Sequence, residues 1–302
     1  MIRSFLFSYF IIASLHSCAQ TEGITNNGDT KIYYRTFGTG KPILIINGGP
    51  GMNSNGFAEL AEKLSHDNQT IIYDQRGTGR STMEKIDTST ITMKLMIEDI
   101  EALRKHLNIK SWIVLGHSFG GMLASYYATQ YPKSIDGLIL SSSGGIDLEL
   151  LSYVQESINS RLTIEQYKEV SYWTTKISDG DTSHATRLKR GMALAPAYLY
   201  NKKPVPMIAE RLTQGNAQLN NLIWANMQKI NFDCAPALAS FNKPVLIIQG
   251  KQDVIQEKTA LKAQKALKHS KVVLIDKCSH YGWLDAPDEY FGAIKSFLAT
   301  VQ

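Results

Sequence analysis

Cysteine is scarce: three residues in 302, Cys18, Cys234 and Cys278. None stands at metal-ligand spacing, which leaves no sequence basis for a structural or catalytic metal. No G-K-[ST] follows the glycine-rich stretch at 47–51, so a phosphate cradle is not expected. No dinucleotide glycine fingerprint follows the first strand-like run, so a nicotinamide or flavin oxidoreductase is a poor reading. Internal repeats and low-complexity tracts are also missing. Positive charge is present in small excess, 32 Lys and Arg against 27 Asp and Glu, but it is dispersed, which argues against a nucleic-acid surface. With 43% hydrophobic and 20% charged residues, the composition suits one large folded core with room for an insertion.

The longest apolar stretch is itself short. Phe5 to Leu15, behind Arg3, covers 11 positions, fewer than the ~18 that span a bilayer, and small or polar residues follow it. Residues 1–18 therefore read as a secretory signal. Leu15-His16-Ser17-Cys18 resembles a bacterial lipobox, which makes Cys18 a lipidation site and the mature chain a membrane-tethered lipoprotein. Cleavage after Ala19 would leave a periplasmic protein instead. Either outcome places the folded part outside the cytoplasm. In that compartment Cys234 and Cys278 have two readings, a disulfide or two buried apolar fillers.

Beyond Thr25, short β-rich apolar runs alternate with longer amphipathic segments, the pattern of a mostly parallel sheet with helices on both faces. Strands are expected at 32–36, 42–47, 70–74, 112–116, 137–141, 244–249 and 271–275. Four of them carry nearly unbroken apolar runs, as central strands buried on both faces do. Helices are expected at 92–107, 119–130 and 288–300. From about Asp147 to Ser240 the strand signal stops and helical patterns take over at 148–158, 164–177 and 208–230. The α/β core is thus expected at 25–146 and 241–302, with a helical cap at 147–240 inserted between two strands.

Three positions carry chemistry. Trp112 to Gly121 is an apolar strand that runs into Gly116-His-Ser-Phe-Gly120, a G-x-S-x-G turn that lifts Ser118 above the sheet edge. A serine hydroxyl needs a base, and the base needs an orienting anion. His280 and Asp253 each follow a buried strand by a few positions, where open α/β sheets bind ligands. The order Ser, Asp, His is that of an α/β-hydrolase fold. Asp147, Asp276 and Asp285 are competing acids. The oxyanion donors are expected to be the backbone N–H of Phe119 and one from the loop Asn47-Gly-Gly-Pro-Gly51, with Gly49 the preferred residue.

With these residues in place, the chain resembles the prolyl aminopeptidase (proline iminopeptidase) group of α/β-hydrolases. The resemblance rests on Gly48-Gly-Pro-Gly51, Tyr73-Asp-Gln-Arg-Gly-Thr-Gly-Arg-Ser81, the turn at Ser118, Gly250-x-x-Asp253 and Cys278-Ser-His280. It covers about 25–145 and 243–300. It implies Ser118 as nucleophile, His280 as base, Asp253 as orienter, and a small-molecule or short-peptide substrate cleaved as an amide or ester without a cofactor. Asp74, Arg76 and Arg80 are expected to brace the floor of the site. The sequence departs from the group's pattern at Asn47, where a histidine is usual, and at Phe119, where Trp or Tyr is common. From Pro196 to Lys251 the only carboxylates are Glu210 and Asp233, so binding a substrate ammonium requires one of these to reach the pocket; Glu210 is the candidate substrate contact, with Trp224 as an apolar one. A carboxylesterase of the same fold is the alternative reading, and a non-catalytic envelope binding protein the third.

Overall fold

The computed structural model describes residues 20–301. The expectations for the signal segment and for Cys18 lie outside the described residues. The fold is built on one eight-stranded sheet: β1 (Gln20–Asn27), β2 (Thr30–Phe37), β3 (Lys41–Ile46), β4 (Asn68–Tyr73), β5 (Trp112–His117), β6 (Ile135–Ser141), β7 (Val245–Gly250) and β8 (Ser270–Ile275). Their order in space is β1-β2-β4-β3-β5-β6-β7-β8. β1 and β2 run antiparallel to their neighbours, and every other pairing is parallel.

Twelve α-helices accompany the sheet among the described residues, some covering its two faces: α1 (Ala58–Leu64), α2 (Met93–His106), α3 (Phe119–Gln130), α4 (Val154–Asn159), α5 (Ile164–Ser178), α6 (His184–Leu194), α7 (Val205–Leu212), α8 (Ala217–Lys229), α9 (Ala235–Leu238), α10 (Glu257–Ala266), α11 (Gly282–Asp285) and α12 (Pro287–Leu298). Six of them, α4 to α9, fall between β6 and β7.

The unbroken apolar runs have a direct structural cause. Along β3, Leu44 and Ile46 join the cluster under α2 and α3, while Ile43 and Ile45 join the opposite cluster with α1 and α12. Both faces of the strand are thereby dry, and a polar residue on either would be stranded. α2 starts where Thr92 caps it, its side chain accepting from Leu95 N at 3.2 Å.

Two differences from the sequence reading are instructive. β1 extends the sheet upstream of residue 25, an edge strand in which only Thr25 is buried. The helix expected over 208–230 is two helices, α7 and α8, separated at 213–216. There Asn216 turns out of helical geometry and its side chain accepts from Leu219 N at 3.1 Å, starting a new helix. Cys234 and Cys278 are free thiols buried in opposite clusters, and burial pushes each up to about 12.

Candidate active site

Parallel order places the carboxyl ends of β3, β5, β7 and β8 along one edge, and the chemistry-bearing residues follow those ends. At the end of β5 the chain turns into α3 without a linker. The turn holds Ser118 at φ 55°, ψ −121°, a left-handed geometry that a non-glycine residue adopts only when its surroundings enforce it. Close packing explains the two flanking glycines. A Cβ on Gly116 would lie 2.3 Å from the Gly120 carbonyl oxygen, and one on Gly120 would lie 2.1 Å from the Ile46 carbonyl oxygen.

Asp253 lies three residues beyond β7 with its side chain fully buried. It is solvated by the protein. Oδ2 accepts from Gln249 Nε2 at 2.9 Å, and Oδ1 accepts from Ile255 N at 3.0 Å and from His280 Nδ1 at 2.9 Å. With Nδ1 as the donor, His280 presents the lone pair of Nε2. The His280 backbone N–H donates to the Tyr198 carbonyl at 3.1 Å. The imidazole ring lies 4.6 Å from that of His117, the residue before Ser118. No hydrogen bond engages the Ser118 hydroxyl among the described residues; such contacts commonly tighten only when substrate is bound. His117 is buried against Phe57, Tyr281 and Trp283. Burial, reinforced by His280 and Arg211, holds its pKa well below the usual imidazole value, so it stays neutral packing.

The loop after β3 is organised around one carbonyl. Gly48 O accepts from Asn47 Nδ2 at 3.0 Å and from Arg211 Nη2 at 2.9 Å. The Gly48 carbonyl and the Gly49 N–H belong to one planar trans peptide, so fixing the oxygen on one side aims the hydrogen to the other. Gly48 is packed so tightly against Ser118 that a Cβ would come within 2.6 Å of the serine Cβ. Neither the Gly49 nor the Phe119 N–H has an acceptor among the described residues, and Phe119 opens α3, where the helix dipole is positive. Asn47, at the position where the resembling group usually has a histidine, therefore works as a loop clamp. Its side chain also reaches Met52 O at 3.0 Å, while Gln75 Nε2 holds its carbonyl at 2.9 Å.

The charged stretch after β4 is structural. Asp74 accepts from Ser54 N, Ser54 Oγ and Arg80 N, each at 2.8 Å. Arg76 forms a two-pronged pair with Asp99 at 2.7 and 2.6 Å, fully buried. The competing acids are occupied elsewhere. Asp147 pairs with Lys262, Asp276 accepts from Gln252, and Asp285 binds the backbone N–H groups of Tyr200, Asn201 and Ser279.

Of the residues singled out for substrate contact, Trp224 packs edge-on against Phe119, ring centres 6.1 Å apart. Glu210 faces solvent and pairs with His184 at 2.8 Å. Asp233 is exposed and accepts from Ala235 N. Sequence reasoning missed Arg211, Gln249 and Arg161, whose Nη2 donates to the Asp253 carbonyl at 2.5 Å. Only Gln249, four residues before Asp253, left a local signal. The others act on partners more than eighty positions away. Among the described residues no three His, Cys, Asp or Glu side chains gather as metal ligands would.

A parallel sheet whose carboxyl edge carries a strained serine, a carboxylate-bound imidazole and two free amide hydrogens defines the hydrolase class of α/β proteins. The chain belongs to the alpha/beta hydrolase fold family, whose family model matches residues 41–287. It is 29% identical over 307 aligned positions to a proline iminopeptidase of Saccharolobus solfataricus, covering 97% of each chain. Among solved structures, the proline iminopeptidase of Mycobacterium smegmatis superposes with a TM-score of 0.65 at 21% identity, covering 92% of this chain and 98% of that one. The esterase RhEst1 from a Rhodococcus species superposes at 0.73 with 17% identity, covering 94% and 99%.

Proposed function

We propose that this protein is a serine hydrolase that cleaves a small amide or ester through an acyl-enzyme, with proline iminopeptidase-like removal of an N-terminal residue as the first reading. The observation that carries the mechanism is the buried Asp253–His280 hydrogen bond lying against the left-handed turn at Ser118. Ser118 Oγ attacks the substrate carbonyl carbon and its proton passes to His280 Nε2. The oxyanion collects between the Gly49 and Phe119 N–H groups. Collapse breaks the bond to the leaving amine or alcohol, which takes the proton from His280. Water, deprotonated by the same imidazole, then releases the acid and restores Ser118. Asp253 keeps the proton on Nδ1 throughout and stabilises the transient imidazolium.

The peptidase subclass is supported by relatives of that name matched along nearly the whole chain and by the loops at 48–51 and 73–81. A second reading, ester hydrolysis, is favoured by the positions of Glu210 and Asp233: neither is buried where a substrate ammonium would need a partner. For residues 1–18 the proposal is a cleaved export signal with lipidation at Cys18, supported by the apolar run and the lipobox-like Leu15 to Cys18. Purified protein should label with a fluorophosphonate at Ser118. Ser118→Ala should lose labelling and about 10⁴-fold or more of kcat. Pro, Ala and Leu arylamides tested beside short-chain aryl esters separate the two subclasses, since ester turnover without arylamide turnover rejects the peptidase.

A further inference from the structure

A cavity of about 840 Å³ opens between the Gly49–Met52 loop and the helices α5, α6 and α8. Its wall holds Arg187 and Arg190 with several amides and no Asp or Glu among the described residues. Neither arginine is in an ion pair there, whereas Arg76, Arg80 and Arg104 all have carboxylate partners. Arg187 spends Nε on the Thr182 carbonyl and Nη1 on the carbonyls of Thr213 and Gly215. Among the described residues Arg190 is committed only through Nε, to Thr174 Oγ1 at 2.8 Å, which leaves both terminal nitrogens available. Burial lowers its pKa, the mark of a cation held without an anion. The first turn of α8, Ala217 and Gln218, joins the same wall, adding the positive end of a 13-residue helix.

Uncompensated cations of this kind make a cavity hostile to an ammonium and receptive to a carboxylate. We propose that the substrate carries a carboxylate and that this cavity binds it, with Arg190 as the principal contact and Arg187 and the start of α8 adding to the field. The geometry is consistent with a reacting carbonyl at Gly49, because Gly49 itself forms part of the wall. The inference rests on the serine hydrolase reading and deepens it. It selects acidic acyl groups or acid-bearing leaving groups over neutral ones.

The test compares matched substrates. For the acyl side, 4-nitrophenyl butyrate is set against mono-4-nitrophenyl glutarate. For the leaving side, phenyl butyrate is set against 3-carboxyphenyl butyrate. One pair should show a preference for the carboxylate of about 10- to 100-fold in kcat/KM, shrinking with added salt. Arg190→Gln should bring that ratio close to one, and Arg190→Lys should restore part of it. Glutarate binding, measured by calorimetry on wild type and Arg190→Gln, reads the anion site independently of turnover. Turnover without carboxylate preference in either pair, or glutarate binding unchanged by Arg190→Gln, overturns the proposal. Failure of Ser118 to label with the fluorophosphonate would instead strike at the hydrolase reading, while glutarate binding would still report on the cavity.

Discussion

The corner formed by β5 and α3 and the outer hairpin formed by α5 and α6 are built to opposite rules. All six residues of β5 are buried, and nine of the twelve in α3. α5 buries none of its fifteen residues, and leaves Ile164, Tyr167 and Tyr172 half or more exposed. The corner fixes backbone: Ser118 holds its strained geometry between Gly116 and Gly120, which pack tightly on each other and on Ile46. Only its inner helix is anchored, α6 setting Gly191 against Ala209 of α7 and Arg187 on the Thr213 and Gly215 carbonyls, and that helix supplies Arg187 and Arg190 to the cavity. Bond-making groups sit where the chain cannot move, and selecting groups sit where sequence is free to change. Substitutions should therefore fall into two populations, large effects on turnover from the sheet edge and small effects on stability from the outer hairpin.

The largest departure is expected at the sheet edge. Asp253→Asn keeps the shape and its oxygen can still accept from the Ile255 backbone N–H, but an amide cannot hold the Nδ1 proton as a carboxylate does. We expect kcat to fall by about 10⁴-fold with thermal stability reduced far less in proportion. A loss under tenfold would mean that His280 is oriented by something other than Asp253, and the contrast between edge and hairpin would lose its main support.

Arg211 ties the helices inserted between β6 and β7 to the sheet edge, since it belongs to α7 yet donates to Gly48 in the loop after β3 and lies over Phe57. Arg211→Met removes one of the two donors that turn the Gly48 carbonyl away from the site. The expected result is a drop of about 10- to 100-fold in kcat with KM little changed, less than the loss of an oxyanion donor itself. Arg211→Lys should recover part of it. A change confined to KM would assign Arg211 to substrate contact rather than to positioning the Gly49 N–H.

The same contrast governs what the sequence made legible. Seven strands were visible as short β-rich apolar runs, four of them nearly unbroken because a central strand is dry on both faces, and Ser118, Asp253 and His280 were visible because each follows one of the seven. β1 carried no such mark: five of its eight residues are exposed, and its pairing with β2 depends on the turn at Gly28. The break between α7 and α8 had a local signal in Gly215 and Asn216, but apolar residues at helical spacing on both sides concealed it. Arg211 left no trace because its partner is 163 positions away. Contacts written in backbone geometry across that distance have no periodicity to read.

The smallest effect is expected on α5. Ile164 is 69% exposed at the first position of the helix, so replacing it with Ser removes almost no buried area. The helix start does not depend on it, because Thr163 and Gln166 form a reciprocal capping box there. Ile164→Ser should therefore change the free energy of unfolding by no more than ~0.5 kcal/mol and leave kcat/KM for a neutral ester unaltered. Denaturant unfolding followed by circular dichroism measures the first and a 4-nitrophenyl ester assay the second. A destabilisation above 1 kcal/mol would show that the exposed face of α5 is covered in solution, and the hairpin would then belong with the rigid part of the molecule instead of standing against it.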